Sequence, residues 1–355
     1  MDKKHTKPIV GISCGDINGI GIEIILKTFS DQRMFEFCIP VVFAHINAVN
    51  YYNKQLTTPL NFIHTKDWDK LNHSQINVFN CWQESVIIQP GELNETGGKY
   101  AILSLQMALH ALFNKQIDVL VTAPINKSNT FSDQFPFTGH TGFLKFESQA
   151  KESLMILFSD YFRVALATEH VPLKEVSEHI NINLLTNKLE LFHQSLIQDF
   201  SITKPKIAVL GLNPHNGDAG LVGKEEHDII IPVIKKLQEK FIIRGPFSAD
   251  AFFAKDNYKH FDGIFAMYHD QGLIPFKSLA PTAGVNFTAG LPFIRTSPDH
   301  GTALDIAGQN KAEADSMIQA IFEALNLYRN RENYYQMTAN PIVRLSKKLA
   351  SYSDE

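Results

Sequence analysis

The chain has 355 residues, 44% hydrophobic and 20% charged, a composition that buries a sizeable core and excludes a disordered chain. Its 33 Lys and Arg against 37 Asp and Glu leave a formal charge of -4, which gives no support to a nucleic-acid surface. Three cysteines make no disulfide scaffold, the opening MDKKHTKPIV lacks the apolar core of a secretory signal, and no apolar run is long enough for a membrane span. The expectation is therefore a cytoplasmic enzyme of two to three domains' length, without a membrane or nucleic-acid partner.

PIVGI at 8–12 reads as a short buried strand, followed by the glycine-rich SCGDINGIG and a helix start in IEIILKTF. FCIPVVFA at 37–44 reads as the next strand. Residues 50–95 are polar and mixed, with NFI and INVF as short strand candidates. From Lys99 the period changes: Ala101, Leu105, Ala108, Leu109 and Leu112 recur at helical spacing. IDVLVTAP is a near-continuous apolar strand, as in a parallel sheet covered on both faces. Residues 125–149 read as loop at first, then SLMILF and FRVALAT as two strands. VPLKEVSEHI restarts a helix with Pro172 in its first turn. A longer helix covers 183–200, KIAVLGL is a strand, 225–240 is helical, and FDGIFAM is a strand. Residues 278–300 are rich in Gly, Pro and Thr, and a helix covers 311 to about 330. This alternation argues α/β with a mostly parallel sheet.

Of 14 histidines, four close strand-like segments: His140 in FTGHTG, His170 after RVALATE, His215 in VLGLNPHNGDAG and His269 in IFAMYHDQG. In a parallel α/β sheet the carboxyl ends of the strands line the ligand crevice, so such residues converge in space. Neutral imidazoles ligate divalent metals, and carboxylates support the shell. His170, His215 and His269 are the expected metal triad, with Asp218, Asp250 and Asp270 near the same loops. The alternative is that each histidine merely caps a strand or bonds to a loop carbonyl. No short-range zinc spacing is present.

Gly15, Gly19 and Gly21 stand between a strand and a helix, where backbone N–H groups can approach a phosphate. The order is not that of a dinucleotide fingerprint, so a tight structural turn is an equal reading. The denser loop is 211–223, with four glycines, Asn213, His215, Asn216 and Asp218. It holds a ligand or a strained turn; Gly211, Asn213, Gly217 and Gly220 are the candidate cofactor contacts. Arg295 sits in an apolar, Gly/Pro-rich stretch where an unpaired charge is costly, so it should face a carboxylate or a bound anion. Lys277, Asn286, His140 and Thr141 are the companions expected around that anion.

AMYHDQGLIPFK, GVNFTAGLPFIRTSPDHGTALDIAG, GLNPHNGDAG, FTGHT and VTAPINK together resemble the 4-hydroxythreonine-4-phosphate dehydrogenase (PdxA) family over nearly the whole chain. The resemblance implies an isocitrate/isopropylmalate dehydrogenase-like fold: two α/β domains with mostly parallel sheets flanked by helices, and a cleft between them. The corresponding division is 1–135 plus 295–355, and 136–294, the second carrying most metal and interface residues. It implies oxidation of 4-phosphooxy-L-threonine by NAD+ or NADP+, then decarboxylation to 3-amino-2-oxopropyl phosphate, in pyridoxal phosphate biosynthesis. It implies a homodimer with the active site at the interface. One divalent metal, Zn2+, Mg2+, Mn2+ or Co2+, is held by His170, His215 and His269, and the metal site is shared between subunits. Substrate contacts fall on His140, Thr141, Lys277, Asn286 and Arg295, and the base on Asp250, Asp270 or Lys277. The chain departs from the family pattern at GDINGIGIE, at GHTG, where Gly142 replaces an acid, and at SAD in 248–250. A sister dehydrogenase for D-threonate or D-erythronate 4-phosphate shares these motifs; a phosphate acyltransferase-like or binding protein is a remoter alternative.

Overall fold

The computed structural model describes residues 7–160, 162–254, 256–280 and 284–341. Twelve strands form one sheet: β1 Ile9–Ser13, β2 Ile39–Ala44, β3 Phe62–Thr65, β4 Ile76–Asn80, β5 Val119–Thr122, β6 Leu154–Phe158, β7 Arg163–Leu166, β8 Lys206–Leu210, β9 Ile242–Phe247, β10 Gly263–Ala266, β11 Val285–Ala289 and β12 Arg295–Pro298. Their order across the sheet is β3-β4-β2-β1-β5-β12-β11-β6-β7-β10-β8-β9. The pairings β12–β11, β11–β6 and β6–β7 are antiparallel. The others are parallel. One half of the sheet uses residues 9–122 with β12, the other uses 154–289, and they meet along β12–β11.

Strand sequences are apolar throughout because both faces are covered. Alternate residues point to opposite sides. Val10, Ile12, Val42, Val119, Val121, Ile156, Ala165, Ile207 and Val209 enter one core with the helices Gly21–Thr28, Ile182–Gln198 and Asp315–Thr338. Ile9, Val41, Phe43 and Leu120 pack on the opposite face against Glu95–Phe113. There Leu157, Val164, Leu166, Ala208 and Ile264 pack with Leu273 and Phe276 of the helix His269–Leu279. The α/β class with a mostly parallel sheet flanked by helices is thus observed. Among the described residues no helix is long and apolar enough to cross a membrane, and Cys14, Cys38 and Cys81 are free.

The differences from the sequence reading are local. NFI and INVF become the parallel pair β3–β4. The helix expected from Lys99 starts at Glu95, because Asn94 caps it by accepting from the Gly97 N–H. Gly97 and Gly98 disguise the start but are required: a Cβ on Gly98 would lie 1.9 Å from the Asn129 carbonyl oxygen. Segment 125–149 holds two short helices, Lys127–Thr130 and His140–Glu147, so His140 opens a helix and does not close a strand. VPLKEVSEHI forms a 3-10 turn, Leu173–Glu175, capped by Pro172, then Val176–His179. The Gly/Pro/Thr-rich 278–300 contains β11 and β12.

Candidate active site

A cleft of about 810 Å³ opens where the loops after β5 and β7, the start of the helix after β10 and the β11–β12 hairpin meet. His140, Thr141, His170, His269, Lys277, Asn286 and Arg295 all line it. These residues span 156 positions of sequence; the parallel strands bring them together.

Arg295 dominates the site's electrostatics. It is 2% exposed, at the first position of β12. Its Nε and Nη2 donate to Thr122 Oγ1 at 3.1 and 2.5 Å, and Nη1 donates to Thr288 Oγ1 at 3.1 Å. Both partners are neutral hydroxyls, and the guanidinium has no ion pair among the described residues. Burial pushes its pKa down to about 9, with Glu169 opposing; it is still charged at neutral pH. The expected carboxylate is therefore missing, and a charge so buried calls for an anion from outside. His140 Nε2 and Asn286 Oδ1 are buried without hydrogen-bond partners among the described residues. Burial and then Arg295 hold the His140 imidazole well below its usual pKa, so it is neutral and free to donate. Thr141 stands beside it in the first turn of His140–Glu147. Lys277 pairs with Asp299 at 3.2 Å; burial raises the Asp299 pKa against the pull of Lys277.

His170 and His269 face each other in the cleft with ring centres 5.8 Å apart. An imidazole on a metal at about 2.1 Å places its ring centre roughly 3 Å away, so this separation suits two ligands of one ion. Desolvation by the cleft walls, with Lys127 and His269 adding positive charge, lowers the His170 pKa and keeps the ring neutral. His269 Nδ1 lies 2.7 Å from Asp270 Oδ1, leaving Nε2 free. A carboxylate behind a histidine orients it as a ligand, so Asp270 here orients His269. His215 does not join them. It is exposed, lies outside the cleft lining, and has Asp250 as an electrostatic neighbour. Asp250 accepts from Ser248 Oγ at 2.6 Å. Among the described residues no three His, Cys, Asp or Glu side chains gather closely enough to hold a metal.

Neither glycine loop lines the cleft. In the first, the Asp16, Gly19 and Ile20 N–H groups donate to the carbonyls of Pro124, Asp16 and Thr302, and the Asn18 N–H to the Asp16 carboxylate. A Cβ on Gly21 would sit 2.3 Å from the Cys14 carbonyl oxygen. Close backbone packing, and not a phosphate, explains these glycines. In the second, His215 to Ala219 run through five successive left-handed residues. Buried Glu226 ties this loop, accepting from the N–H groups of Leu212 and Asn213 at 2.7 Å and from Asn213 Nδ2 at 2.9 Å. Gly211 and Gly217 are crowded by Asn216 and Glu226, while Gly220 opens to empty space. Asp218 is exposed on the same turn.

Lys127, Glu169, Lys188, Asp299 and His300 also line the cleft. Lys127 and Asp299 stand inside VTAPINK and SPDHG, so the motifs contained them, but nothing in isolated sequence separates them from surface charges. Lys188, on an amphipathic helix, carries no local signal.

Residues 36–324 match the profile of the family described as pyridoxal phosphate biosynthetic protein PdxA. A 4-hydroxythreonine-4-phosphate dehydrogenase of Bacteroides thetaiotaomicron is 47% identical over 341 residues, covering 96% of this chain and 94% of the relative. The chain belongs to the PdxA family. A Sulfurihydrogenibium relative with the same name is 40% identical, covering 91% of this chain and 99% of that one. The crystal structure of 4-hydroxythreonine-4-phosphate dehydrogenase from Klebsiella pneumoniae superposes with a TM-score of 0.78 at 30% identity, covering 91% and 98% of the two chains. These PdxA relatives are oxidoreductases, and so is this chain.

Proposed function

We propose that this PdxA-family protein oxidises 4-phosphooxy-L-threonine with NAD+ or NADP+ and divalent-metal help. The β-keto acid then loses CO2 to give 3-amino-2-oxopropyl phosphate. The observation that carries this reading is the buried Arg295 lining the cleft, which has no ion pair among the described residues. Together with His140, Thr141, Asn286 and Lys277 it is the receptor for the substrate phosphate. Anchoring the phosphate there fixes the rest of a four-carbon chain, so that the hydroxyl carbon lies against the imidazoles of His170 and His269.

A divalent metal held there would supply Lewis-acid polarisation of the hydroxyl, and a nicotinamide would supply the hydride acceptor. His170 and His269 fit that metal as neutral ligands, with Asp270 orienting His269. Lys277 would take the hydroxyl proton once it has passed its own to Asp299, whose carboxyl burial favours in the protonated form. His215 and Asp250 lie together away from this chain's cleft, so they serve catalysis only in an assembly where another protomer's cleft faces them. That favours the homodimer, with Gly211, Asn213, Gly217 and Gly220 shaping the turn that presents His215 and contacting the cofactor at the interface.

Chelating the metal should abolish NAD(P)H formation while leaving phosphate-ester binding to Arg295 within about twofold, read by calorimetry. Full turnover in metal-free protein would remove His170, His215 and His269 from the reaction.

A further inference from the structure

His170, His269 and His215 leave the sheet from the carboxyl ends of β7, β10 and β8, which lie side by side in that order. Between β10 and β8 the parallel ladder pairs Gly263 with Ile207, Ile264 with Ala208 and Phe265 with Val209, and then stops. Continued at the same offset, Met267 would face Gly211. Instead of a backbone bond, the side chain of Gln271 joins these two residues. Its Oε1 accepts from the Met267 N–H at 2.7 Å, and its Nε2 donates to the Gly211 carbonyl oxygen at 2.6 Å. On the other side of β10 the pairing runs on, with the Met267 carbonyl accepting from the Thr168 N–H at 3.2 Å and from Thr168 Oγ1 at 2.8 Å. One line of hydrogen bonds therefore crosses all three strand ends, from Thr168 through Met267 and Gln271 to Gly211. Thr168 stands two residues before His170, Met267 two before His269, and Gly211 four before His215.

The residue type fits the place. Gln271 is the third residue of the helix His269–Leu279, the position from which a glutamine reaches back to a backbone N–H ahead of the helix. Tyr268, the N-cap, makes no side-chain capping bond. A primary amide carries both an acceptor and donors, so one side chain satisfies the buried Met267 N–H and the buried Gly211 carbonyl together. A direct backbone bond would draw the two strand ends to ladder spacing; an inserted amide lets them part. His269 can then face His170 in this cleft while the loop 211–223 turns away from it. We infer that Gln271 is a positioning residue for the metal site, splicing the ends of β10 and β8 so that the imidazoles of His269 and His215 both leave the sheet at fixed places. This rests on the reading of His170, His215 and His269 as metal ligands proposed above. Gln271 lies outside the cleft lining and acts through the histidines.

Two substitutions in the full-length protein test it. Gln271→Met keeps the length and bulk of the side chain and removes both hydrogen bonds. Gln271→Glu, as a carboxylate, still accepts from the Met267 N–H but offers the Gly211 carbonyl no donor. Calorimetric titration with Co2+ reads the metal site, titration with inorganic phosphate reads the Arg295 receptor, and melting temperature checks the fold. Gln271→Met should weaken Co2+ binding by about tenfold or more, the usual effect of losing an outer-shell partner, and leave phosphate binding within about twofold. Amide exchange should quicken at 211–216 and 267–270 together in Gln271→Met, and at 211–216 alone in Gln271→Glu. Unchanged Co2+ affinity in both variants would overturn the role of Gln271 and leave the metal reading standing. Equal weakening of Co2+ and phosphate, with a lowered melting temperature, would overturn it too, since Gln271 would then be a general strut. A wild-type protein that takes up no Co2+ would overturn the metal reading and this role with it.

Discussion

At the residue scale the site rests on a deliberate cost. Arg295 is a buried cation whose hydrogen-bond partners among the described residues are the hydroxyls of Thr122 and Thr288, with no ion pair among those residues. Replacing such a charge with an apolar side chain of similar length is often neutral or stabilising. Arg295→Met should therefore keep or raise the melting temperature while weakening phosphate-ester binding about a hundredfold or more, since charge-assisted bonds are lost together. A melting temperature lowered by many degrees would show that Arg295 is a structural strut. The pH dependence has a defined sign. Burial lowers the Arg295 pKa to about 9, so the guanidinium is charged below that pH and loses its proton above it. Affinity for a phosphate ester should hold through neutral pH and fall as pH rises past about 9, with the bound anion moving the midpoint upward. Titrations at several pH values check this; affinity that rises above pH 9 would contradict it.

At the element scale, the loops that read as ligand cradles act as braces. The turn at 215–219 keeps four non-glycine residues left-handed, a conformation costing roughly 1–2 kcal/mol each, so something must hold it. Glu226 does so through its bonds to Leu212 and Asn213. Glu226→Ala should speed amide exchange across 211–223 and lower turnover, with little change in phosphate binding, because the cleft lies elsewhere. Unchanged exchange would refute the brace. The helix Glu95–Phe113 offers a harsher case. Gly98→Ala forces a methyl against the Asn129 carbonyl and should cost about 3 kcal/mol or more, read by denaturant unfolding. Sequence could not reveal either device. A glycine that avoids a distant carbonyl looks the same in one dimension as a glycine that admits a phosphate.

Across the whole molecule, long-period features were legible and long-range ones were not. Buried strands such as Ile9–Ser13 and Val119–Thr122 stand out because both faces of the sheet are covered. β11 and β12 hide in a Gly/Pro/Thr-rich stretch because their partners, not their own composition, make them strands. The helix His269–Leu279 is masked by Gly272 and Pro275. Arg295 was legible as an ion in apolar surroundings, though not its lack of a carboxylate. His170 and His269 meet in one chain and His215 does not, a distinction that spacing cannot carry. The two-domain division, 1–135 plus 295–355 and 136–294, remains a proposal beside a sheet whose halves meet along β12–β11; residues 1–6 and 342–355 of it lie outside those described.

The central claim is that this cleft oxidises a phosphate-anchored substrate. The most direct measurement is NAD(P)H formation from 4-phosphooxy-L-threonine with a divalent metal present, run beside the dephosphorylated 4-hydroxy-L-threonine and the Arg295→Met variant. Turnover only with the phosphorylated substrate and the intact arginine is the predicted result. Equal turnover of the dephosphorylated compound, or full activity in Arg295→Met, would contradict it.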